Sequence, residues 1–267
     1  MRRNLFLKNI DFLKIAALLE KAERTQCEVI RITDKYPTLS IEDAYGIQEA
    51  IVKLKAQQGH HVVGPKMGLT SKAKMDQMNV DKPIYGYVFD YMVLPDGGQL
   101  SMKELIHPKI ESEIAFVMGQ DIGGDDVTAE EVLKSIQYIV PAMEIIDSRY
   151  KDFQFTLPDV IADNTSASRI VLGTQKIEIG NLELDKIKAE LWINEELKGS
   201  GTGAAVLGNP VNSVIMLTKM LAKKGEKVLA GDIVLTGALL QAVMIKAGDK
   251  ITTKFEGLGE VNLTVSE

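Results

Sequence analysis

The sequence predicts an α+β fold, with a helical N-terminal region over residues 1–61 and a strand-rich body over residues 62–267. In the first region, apolar residues recur at helix-like spacing among Lys and Glu residues. In the second, short apolar runs are separated by Gly and Pro, which is typical of strands and turns. Because helices and strands are largely segregated along the chain, we expect a mixed, curved sheet rather than an alternating parallel one.

Helical elements are predicted at four places along the chain. The first is indicated by the apolar residues Ile10, Leu13, Ile15, Leu18 and Leu19. The second covers residues 41–58, and Ser40 is placed to cap its N-terminus. Two further helices, at residues 128–135 and 211–223, interrupt the strand-rich body.

Strands are indicated by short apolar runs at residues 62–64, 85–88, 114–118 and 170–173. Residues 189–197 are typical of a hairpin that turns at Asn194. Two similar turns, at 230–232 and 247–249, each lead into a further strand-like run. The glycine-rich run 199–203 does not match a nucleotide-binding motif, so nucleotide binding is not supported. We expect this run to shape a loop ahead of the last helix.

Composition narrows the classes of function. The chain has 267 residues, and its formal net charge of −6 argues against nucleic acid as the main partner. The single cysteine, Cys27, cannot form an internal disulfide, which favours a reduced, cytoplasmic setting. No apolar run approaches the roughly 18 residues that a membrane span needs, so no membrane role is expected.

Three carboxylates point to a metal site. In a strand, Glu111 and Glu113 share one face, and Glu144 lies inside the apolar run 140–146. Buried carboxylates are costly unless they are paired or bind a metal, and hard cations such as Mg²⁺ or Mn²⁺ prefer oxygen ligands. The alternative, a solvated face of alternating Glu, fits the apolar run poorly. Asp147 has the opposite strand parity to Glu144 and is expected to support the ligands.

A lysine near a strand-like run is the candidate protein cation. Lys66 lies between Gly64 and Gly68, where an ammonium group can meet an anionic substrate. The alternative is a solvent-exposed turn lysine. His107 precedes Pro108 and is better suited to beginning a strand than to acting as a base. Neither a P-loop nor a G-x-S-x-G motif occurs in the sequence.

Five segments carry a family likeness: residues 66–75, 83–86, 111–113, 141–149 and 161–166. Together they resemble the hydratase/decarboxylase family of the fumarylacetoacetate hydrolase superfamily, over nearly the whole chain. The resemblance implies a mixed β-sheet roll around a metal, with helices packed outside, so residues 62–267 would form a metal-binding catalytic domain. It also implies Mg²⁺ or Mn²⁺ held by Glu111, Glu113 and Glu144.

Roles for other residues follow from the same likeness. Lys66 is expected to be the catalytic cation near the metal. Asn164 and Ser166 match the polar loop of the family and are expected to bind substrate oxygens. Leu69, just past the lysine, is expected to offer its backbone to the substrate, and Thr236 at the end of a predicted strand is a further candidate.

One position favours a particular reaction. The related hydratases look to carry a Pro-Asp-aromatic-Gly motif, and this chain has Ile84 at the position of the acid. That acid is proposed to transfer a proton when the hydratases add water. The resemblance therefore implies decarboxylation of 2-oxo-3-hexenedioate to 2-hydroxypenta-2,4-dienoate and CO₂, a step of meta-cleavage aromatic degradation.

Other readings remain open at this stage: a 2-hydroxypentadienoate hydratase of the same fold, a metal-dependent hydrolase of acylpyruvates, and a non-catalytic assembly subunit. The partners that the resemblance implies are a small-molecule dicarboxylate substrate and a 2-hydroxypentadienoate hydratase. A homo-oligomer is also expected.

Overall fold

The computed structural model describes residues 10–72, 75–76 and 80–267. Its helices are α1 (Phe12–Thr25), α2 (Ile32–Lys35), α3 (Ile41–Gln57), α4 (Ala129–Ser135), α5 (Leu157–Ala162) and α6 (Pro210–Ala222). Its strands are β1 (Val62–Gly68), β2 (Ile84–Phe89), β3 (Val93–Pro95), β4 (Gly98–Ser101), β5 (Lys109–Met118), β6 (Ile136–Ile146), β7 (Ala167–Leu172), β8 (Lys188–Ile193), β9 (Glu196–Thr202), β10 (Ile233–Ala238), β11 (Val243–Met244), β12 (Lys250–Phe255) and β13 (Gly259–Ser266). Residues 1–9 of the predicted helical region and residues 73–74 of segment 66–75 lie outside the described residues.

Two sheets form the body of the described chain. The larger has the strand order β2-β1-β10-β5-β6-β7-β3, with β11 pairing to β5, and the smaller has the order β4-β13-β12-β8-β9. Most neighbours are antiparallel, but β1 pairs with β10 in parallel, as do β3 with β7 and β4 with β13. The predicted α+β class with mixed sheets is therefore confirmed.

The register of the larger sheet brings distant residues to one face. Lys66 on β1 is in register with Leu235 on β10, and Leu235 is in register with Ala115 on β5. Glu111 on β5 lies directly opposite Glu144 on β6. Because paired residues point to the same side and side chains alternate along each strand, Lys66 and the carboxylates share one face.

The N-terminal helices pack on the sheet through a shared apolar core. Buried side chains of α1 and α3, such as Leu19 and Ile47, form one cluster with Ile84 of β2 and Ile161 of α5. The buried amide of Gln48 on α3 donates to the carbonyl oxygens of Tyr85 and Ile161, at 2.9 and 3.1 Å. The helical layer is thus anchored to the strands beside the site face.

Local signals of the sequence account for the start of α3 and for the turn between β8 and β9. Ser40 caps α3 as predicted, and its hydroxyl and the Asp43 carboxylate form a reciprocal capping box. The hairpin β8–β9 turns through Asn194 and Glu195, which both have positive φ, as a two-residue type I′ turn requires. None of the described helices combines the length and apolarity that crossing a bilayer requires.

One predicted element is wrong. Residues 199–202 of the glycine-rich run form part of strand β9 instead of a loop before α6. The glycines serve close packing, because a Cβ at Gly201 would lie 1.9 Å from the carbonyl oxygen of Leu239. A strand under a crossing backbone segment needs glycine for space, and a run of glycines in the sequence does not distinguish this need from a loop.

Candidate active site

Three buried glutamates converge on the site face of the large sheet. Glu111, Glu113 and Glu144 each place a carboxylate oxygen so that the three atoms lie within 4.8 Å of one another. Strand alternation aligns Glu111 with Glu113, and the β5–β6 register brings Glu144 opposite Glu111. The structure thus brings together the three predicted ligands and excludes the alternative of a solvated Glu face.

Lys66 is buried beside this cluster, with only 2 % of its surface exposed. Its Nζ lies 3.0 Å from Oε1 of Glu144 and donates to the carbonyl oxygen of Thr165 at 3.1 Å. The alternative of an exposed turn lysine is therefore wrong. An ammonium held between a carboxylate and a carbonyl is desolvated and fixed in direction, which strengthens its interaction with any anion in the site.

The surroundings of Glu113 disfavour its ionised form. Its Oε2 accepts a hydrogen bond from the backbone nitrogen of Gly237 at 2.8 Å, but its buried Oε1 has no hydrogen-bond partner among the described residues. Burial raises the pKa of Glu113 well above its ordinary value, and repulsion from Glu144 and Glu111 raises it further. Lys66 and the Gly237 amide oppose this shift without cancelling it.

The three carboxylates of Glu111, Glu113 and Glu144, called the triad below, suit a divalent cation by their charge and their donor atoms. Three ionised carboxylates and the Lys66 ammonium leave two net negative charges, which one divalent ion would neutralise. The donors are all oxygen atoms, the set preferred by hard cations such as Mg²⁺. An ion there would also give the Glu113 Oε1 atom a partner.

A left-handed turn supplies the carbonyl that contacts Lys66. Asn164, Thr165 and Ser166 have φ values of 49°, 55° and 55°, a conformation that costs residues other than glycine roughly 1–2 kcal/mol each. Its hydrogen bonds tie it to β2: the Asn164 amide bonds both the nitrogen and the oxygen of Tyr87 at 2.8 Å, and the Thr165 hydroxyl donates to Tyr85 O.

Two glycines let this turn approach the sheet. A Cβ at Gly68 would lie 2.6 Å from Cγ2 of Thr165, and a Cβ at Gly86 would lie 2.6 Å from the carbonyl oxygen of Asn164. Both glycines share the sheet face of Lys66, because Gly68 pairs with Ile84 and Lys66 pairs with Gly86. A side chain at either position would push the turn away from the lysine.

Behind the turn lies a buried ion pair. Nε of Arg149 donates to Oδ1 of Asp163 at 2.5 Å, and the Arg149 backbone nitrogen donates to Oδ2 at 3.1 Å. Burial raises the pKa of Asp163 to about 6, whereas the carboxylates around Arg149 raise the pKa of its guanidinium. The positive charge of Arg149 and its hydrogen bonds to Asp163 oppose the effect of burial on the pKa of that carboxyl.

The remaining predicted residues have defined places around the cluster. Leu69 follows β1 with φ 55°, so its backbone turns sharply just past the lysine strand. The Thr236 hydroxyl donates to Ile114 O at 2.8 Å. Ser166 donates its backbone nitrogen to Asp163 O at 2.9 Å. In this arrangement the side chains of Asn164 and Thr236 bond the protein, and the substrate contacts expected of these four residues stay predictions.

Asp147 and His107 lie at the edge of the site. The Asp147 carboxylate accepts from the backbone nitrogens of Ile106 and His107, both at 2.8 Å, and so anchors the segment that enters β5. Nδ1 of His107 lies 3.1 Å from Oε1 of Glu28. The contacts described for the Asp147 carboxylate are with backbone nitrogens, so its expected role of supporting the metal ligands stays a prediction. His107 lies just ahead of β5, close to the strand start expected for it.

Sequence reasoning missed two backbone groups of the site: the Thr165 carbonyl, which contacts Lys66, and the Gly237 amide, which contacts Glu113. A pattern of side chains in a sequence does not predict which backbone groups will contact a site. Gly237 carries a weak signal as a glycine in a strand, which often marks a close backbone approach. Its φ is 118°, and a Cβ there would lie 2.1 Å from Oγ1 of Thr70.

Comparison with known proteins gives three consistent findings. A sequence profile described as "Fumarylacetoacetate (FAA) hydrolase C-terminal" matches residues 51–266. The chain is 41% identical over 259 residues to a 4-oxalocrotonate decarboxylase of Pseudomonas putida, covering 97% of this chain and 98% of that protein. It is 36% identical over 251 residues to a 2-hydroxyhexa-2,4-dienoate hydratase of Comamonas testosteroni, covering 93% and 95% of the two chains.

A solved structure agrees with these sequence matches. The 4-oxalocrotonate decarboxylase from Pseudomonas putida G7, complexed with magnesium and adipate, superposes with a TM-score of 0.93 at 40% sequence identity. The match covers 95% of this chain and 97% of that one.

Proposed function

Because the chain belongs to the fumarylacetoacetate hydrolase family, we propose that it decarboxylates 2-oxo-3-hexenedioate, also called 4-oxalocrotonate, to 2-hydroxypenta-2,4-dienoate and CO₂. The family predicted from the sequence is confirmed, as is the prediction of an enzyme of the carboxy-lyase type. The substrate and the place in meta-cleavage degradation of aromatic compounds are the proposal.

The observation that carries the choice of reaction is the apolar side chain at position 84. Ile84 is 3 % exposed and lies on the same sheet face as Lys66, in a cluster with Ile161 and Leu69. Adding water requires a group that handles a proton, and an aliphatic side chain cannot. Losing CO₂ from a carboxylate is favoured by an apolar surrounding, because the charged group becomes a neutral gas.

The electron flow explains why a cation should face the keto end. When the C5–C6 bond breaks, C6 leaves as CO₂ and its electron pair forms the C4–C5 double bond. The C3–C4 pair moves to C2–C3, and negative charge collects on the 2-oxo oxygen, which a proton then converts to the dienol. Stabilising that oxygen more in the transition state than in the substrate is what accelerates the reaction.

Different residues of the chain would stabilise the charge on the 2-oxo oxygen and bind the substrate. Glu111, Glu113 and Glu144 would hold the divalent cation, which supplies Lewis-acid stabilisation of the developing charge when bound. Mg²⁺ is the ion we propose, with Mn²⁺ as the alternative, because a relative's structure contains magnesium. Lys66, buried and aimed by Thr165, adds a second positive charge at the same end of the substrate. We assign substrate contacts to Leu69, Asn164, Ser166 and Thr236.

The test is an incubation of purified protein with Mg²⁺ and 2-oxo-3-hexenedioate, following CO₂ release and product identity with and without EDTA. We expect CO₂ and the dienol, and loss of both with EDTA. Turnover of 2-hydroxypentadienoate to 4-hydroxy-2-oxopentanoate without CO₂ release would instead identify a hydratase, the function of several relatives. Inactivity on both substrates would favour an assembly subunit.

We further propose a cytoplasmic enzyme that forms homo-oligomers and associates with the hydratase that consumes its product. An unstable dienol is used more efficiently when the next enzyme is adjacent. Apolar side chains exposed on the described surface include Leu13, Ile30 and Met244. Size-exclusion chromatography with light scattering, alone and after co-expression with a hydratase, tests both associations.

A further inference from the structure

We propose that Arg149 is a positioning residue that holds the left-handed turn and thereby aims the Thr165 carbonyl at Lys66. The inference rests on the proposed function only in that Lys66 acts in catalysis. It assigns a task to a buried ion pair that touches neither the glutamates nor the lysine in any contact described above.

The guanidinium contacts both ends of the turn. Its Nη2 donates to the carbonyl oxygen of Asp163, the residue before the turn, and its Nη1 donates to the carbonyl oxygen of Ala167, the residue after it, at 3.0 Å. Nη1 also donates to Asp147 O at 2.8 Å. A planar group with several donors in fixed directions can bridge two carbonyls in this way, and an ammonium cannot reproduce it.

The turn needs such a restraint. Thr165 and Ser166 lack the conformational freedom of glycine, yet both have positive φ, so the surroundings must impose their backbone conformation. Asp163 completes the restraint, because its carboxylate binds Arg149 while its carbonyl oxygen also accepts from the Ser166 nitrogen at 2.9 Å. Arg149 and Asp163 are both buried, so this network is shielded from water.

The contacts that begin at Arg149 reach the Lys66 ammonium through the Thr165 carbonyl. Thr165 O is one of its two close oxygen partners described above, and Glu144 is the other. If the turn relaxed toward ordinary negative φ values, the Thr165 carbonyl would rotate and Lys66 would lose the partner that sets its direction. Catalysis would weaken, and substrate binding would weaken with it, because Asn164 and Ser166 of the same turn are assigned substrate contacts. Metal binding, which uses the three glutamates of β5 and β6, would change little.

The experiment is a double-mutant cycle between Arg149→Lys and Lys66→Ala, with kcat, KM and Mg²⁺ affinity measured for each variant. Alone, Arg149→Lys should lower kcat about 10- to 100-fold, the usual cost of losing a residue that orients a reactive group. KM should rise, because Asn164 and Ser166 move with the turn, whereas Mg²⁺ affinity should stay near the wild-type value. In the Lys66→Ala background, Arg149→Lys should cause no further loss of kcat. A matched control is Arg169→Lys on β7, where the arginine pairs with Glu104, and wild-type kcat is expected.

Wild-type kcat in folded Arg149→Lys, or an undiminished loss of kcat in the Lys66→Ala background, would overturn the proposal. If Arg149→Lys fails to fold, Asp163→Asn decides, because it removes the charged partner of the Arg149 guanidinium and leaves the turn residues 164–166 unchanged. A lower kcat that disappears in the Lys66→Ala background supports the proposal, and wild-type kcat overturns it.

A crystal structure of Arg149→Lys, or of Asp163→Asn if the first variant does not fold, gives a readout independent of activity. We expect the Lys66–Thr165 hydrogen bond to be lost or lengthened, and an unchanged turn overturns the proposal. This readout holds even if the wild-type protein does not decarboxylate the substrate, so the two failures are distinguishable.

Discussion

At the scale of single residues, Lys66 combines burial, charge and fixed direction. Its ammonium bonds Thr165 O and Glu144, so it is positioned before any substrate arrives. A preorganised charge needs little reorganisation during the reaction, and this is why such groups contribute strongly to catalysis.

We therefore expect Lys66→Ala to lower kcat by about two to three orders of magnitude, as does the loss of other preorganised charge stabilisers. Lys53→Ala, which changes an exposed lysine of α3, is the control and should leave kcat unchanged. Steady-state kinetics with saturating Mg²⁺ measure both. Near wild-type turnover by folded Lys66→Ala would contradict the catalytic role.

The side chain at position 84 is predicted to control the reaction outcome. Ile84→Asp would place a carboxylate in an apolar cluster on the face of Lys66, which should slow CO₂ release by at least about tenfold through loss of the dry surrounding. Ile84→Val keeps the apolar wall and should retain most activity. Parallel assays of CO₂ release and of dienol hydration distinguish the variants, and unchanged CO₂ release by Ile84→Asp would contradict this assignment.

At the scale of elements, the strand register decides which groups can meet. The β5–β6 pairing sets Glu111 opposite Glu144, and an irregularity of β10 between Leu235 and Ala238 directs the Gly237 nitrogen to Glu113. Shifting a strand by one residue would move its whole set of side chains to the other face. The site therefore depends on irregular backbone as well as on regular pairing.

Gly237→Ala tests this dependence. Its Cβ would collide with Thr70 Oγ1, and φ 118° is unfavourable for alanine, so we expect weaker Mg²⁺ binding and a loss of about 2 kcal/mol or more in the free energy of unfolding. Gly231→Ala is the matched control, because φ is 91° there but no atom lies within 4 Å of the added Cβ. It should cost about 1 kcal/mol, with unchanged Mg²⁺ affinity. Urea denaturation measures the free energy of unfolding, and calorimetry measures the Mg²⁺ affinity. Equal effects of both variants on Mg²⁺ affinity would contradict the role of the Gly237 amide.

At the scale of the whole molecule, the charge of the triad links stability to pH and metal. The pKa of Glu113 in the folded protein lies well above its unfolded value. Protonated Glu113 therefore stabilises the metal-free fold at low pH, and that contribution is lost as the pH rises through the raised pKa. A bound divalent ion replaces the proton and removes the repulsion among the carboxylates.

We expect the increase in Tm caused by Mg²⁺ to be larger at about pH 8 than at about pH 6, because protons compete with the metal at the lower pH. At about 100 times its dissociation constant, the ion adds about 2.7 kcal/mol to the free energy of unfolding. Asp163, with a pKa raised to about 6, also loses its stabilising contribution as pH rises, with or without metal, so it cancels in the comparison. Thermal unfolding at fixed Mg²⁺ concentration measures the effect, and a larger increase in Tm at the lower pH would contradict it.

The division into residues 1–61 and 62–267 stays a proposal about sequence regions. Strand β1 begins at Val62, but α1 and α3 share a core with Ile84 and Ile161. Expressing residues 62–267 alone should therefore give a protein that is insoluble or unfolds without cooperativity, because the face under α3 would be exposed. A cooperative thermal transition in the truncated protein would show that the second region folds independently.

The sequence by itself determined the α+β class, the Ser40 cap of α3, the hairpin at Asn194 and the parity that aligns Glu111 with Glu113, because each depends on local spacing. Only the tertiary structure decided that Lys66 meets Glu144, that Arg149 spans the turn around Thr165, that Gly237 contacts Glu113 and that the glycines of β9 provide space. The physical reason is that these contacts join residues far apart in the chain, often through backbone groups. The periodicity of the sequence indicates which face of a strand or helix a side chain takes. The register of strand pairing, strand irregularities and packing determine which residues of other elements it meets.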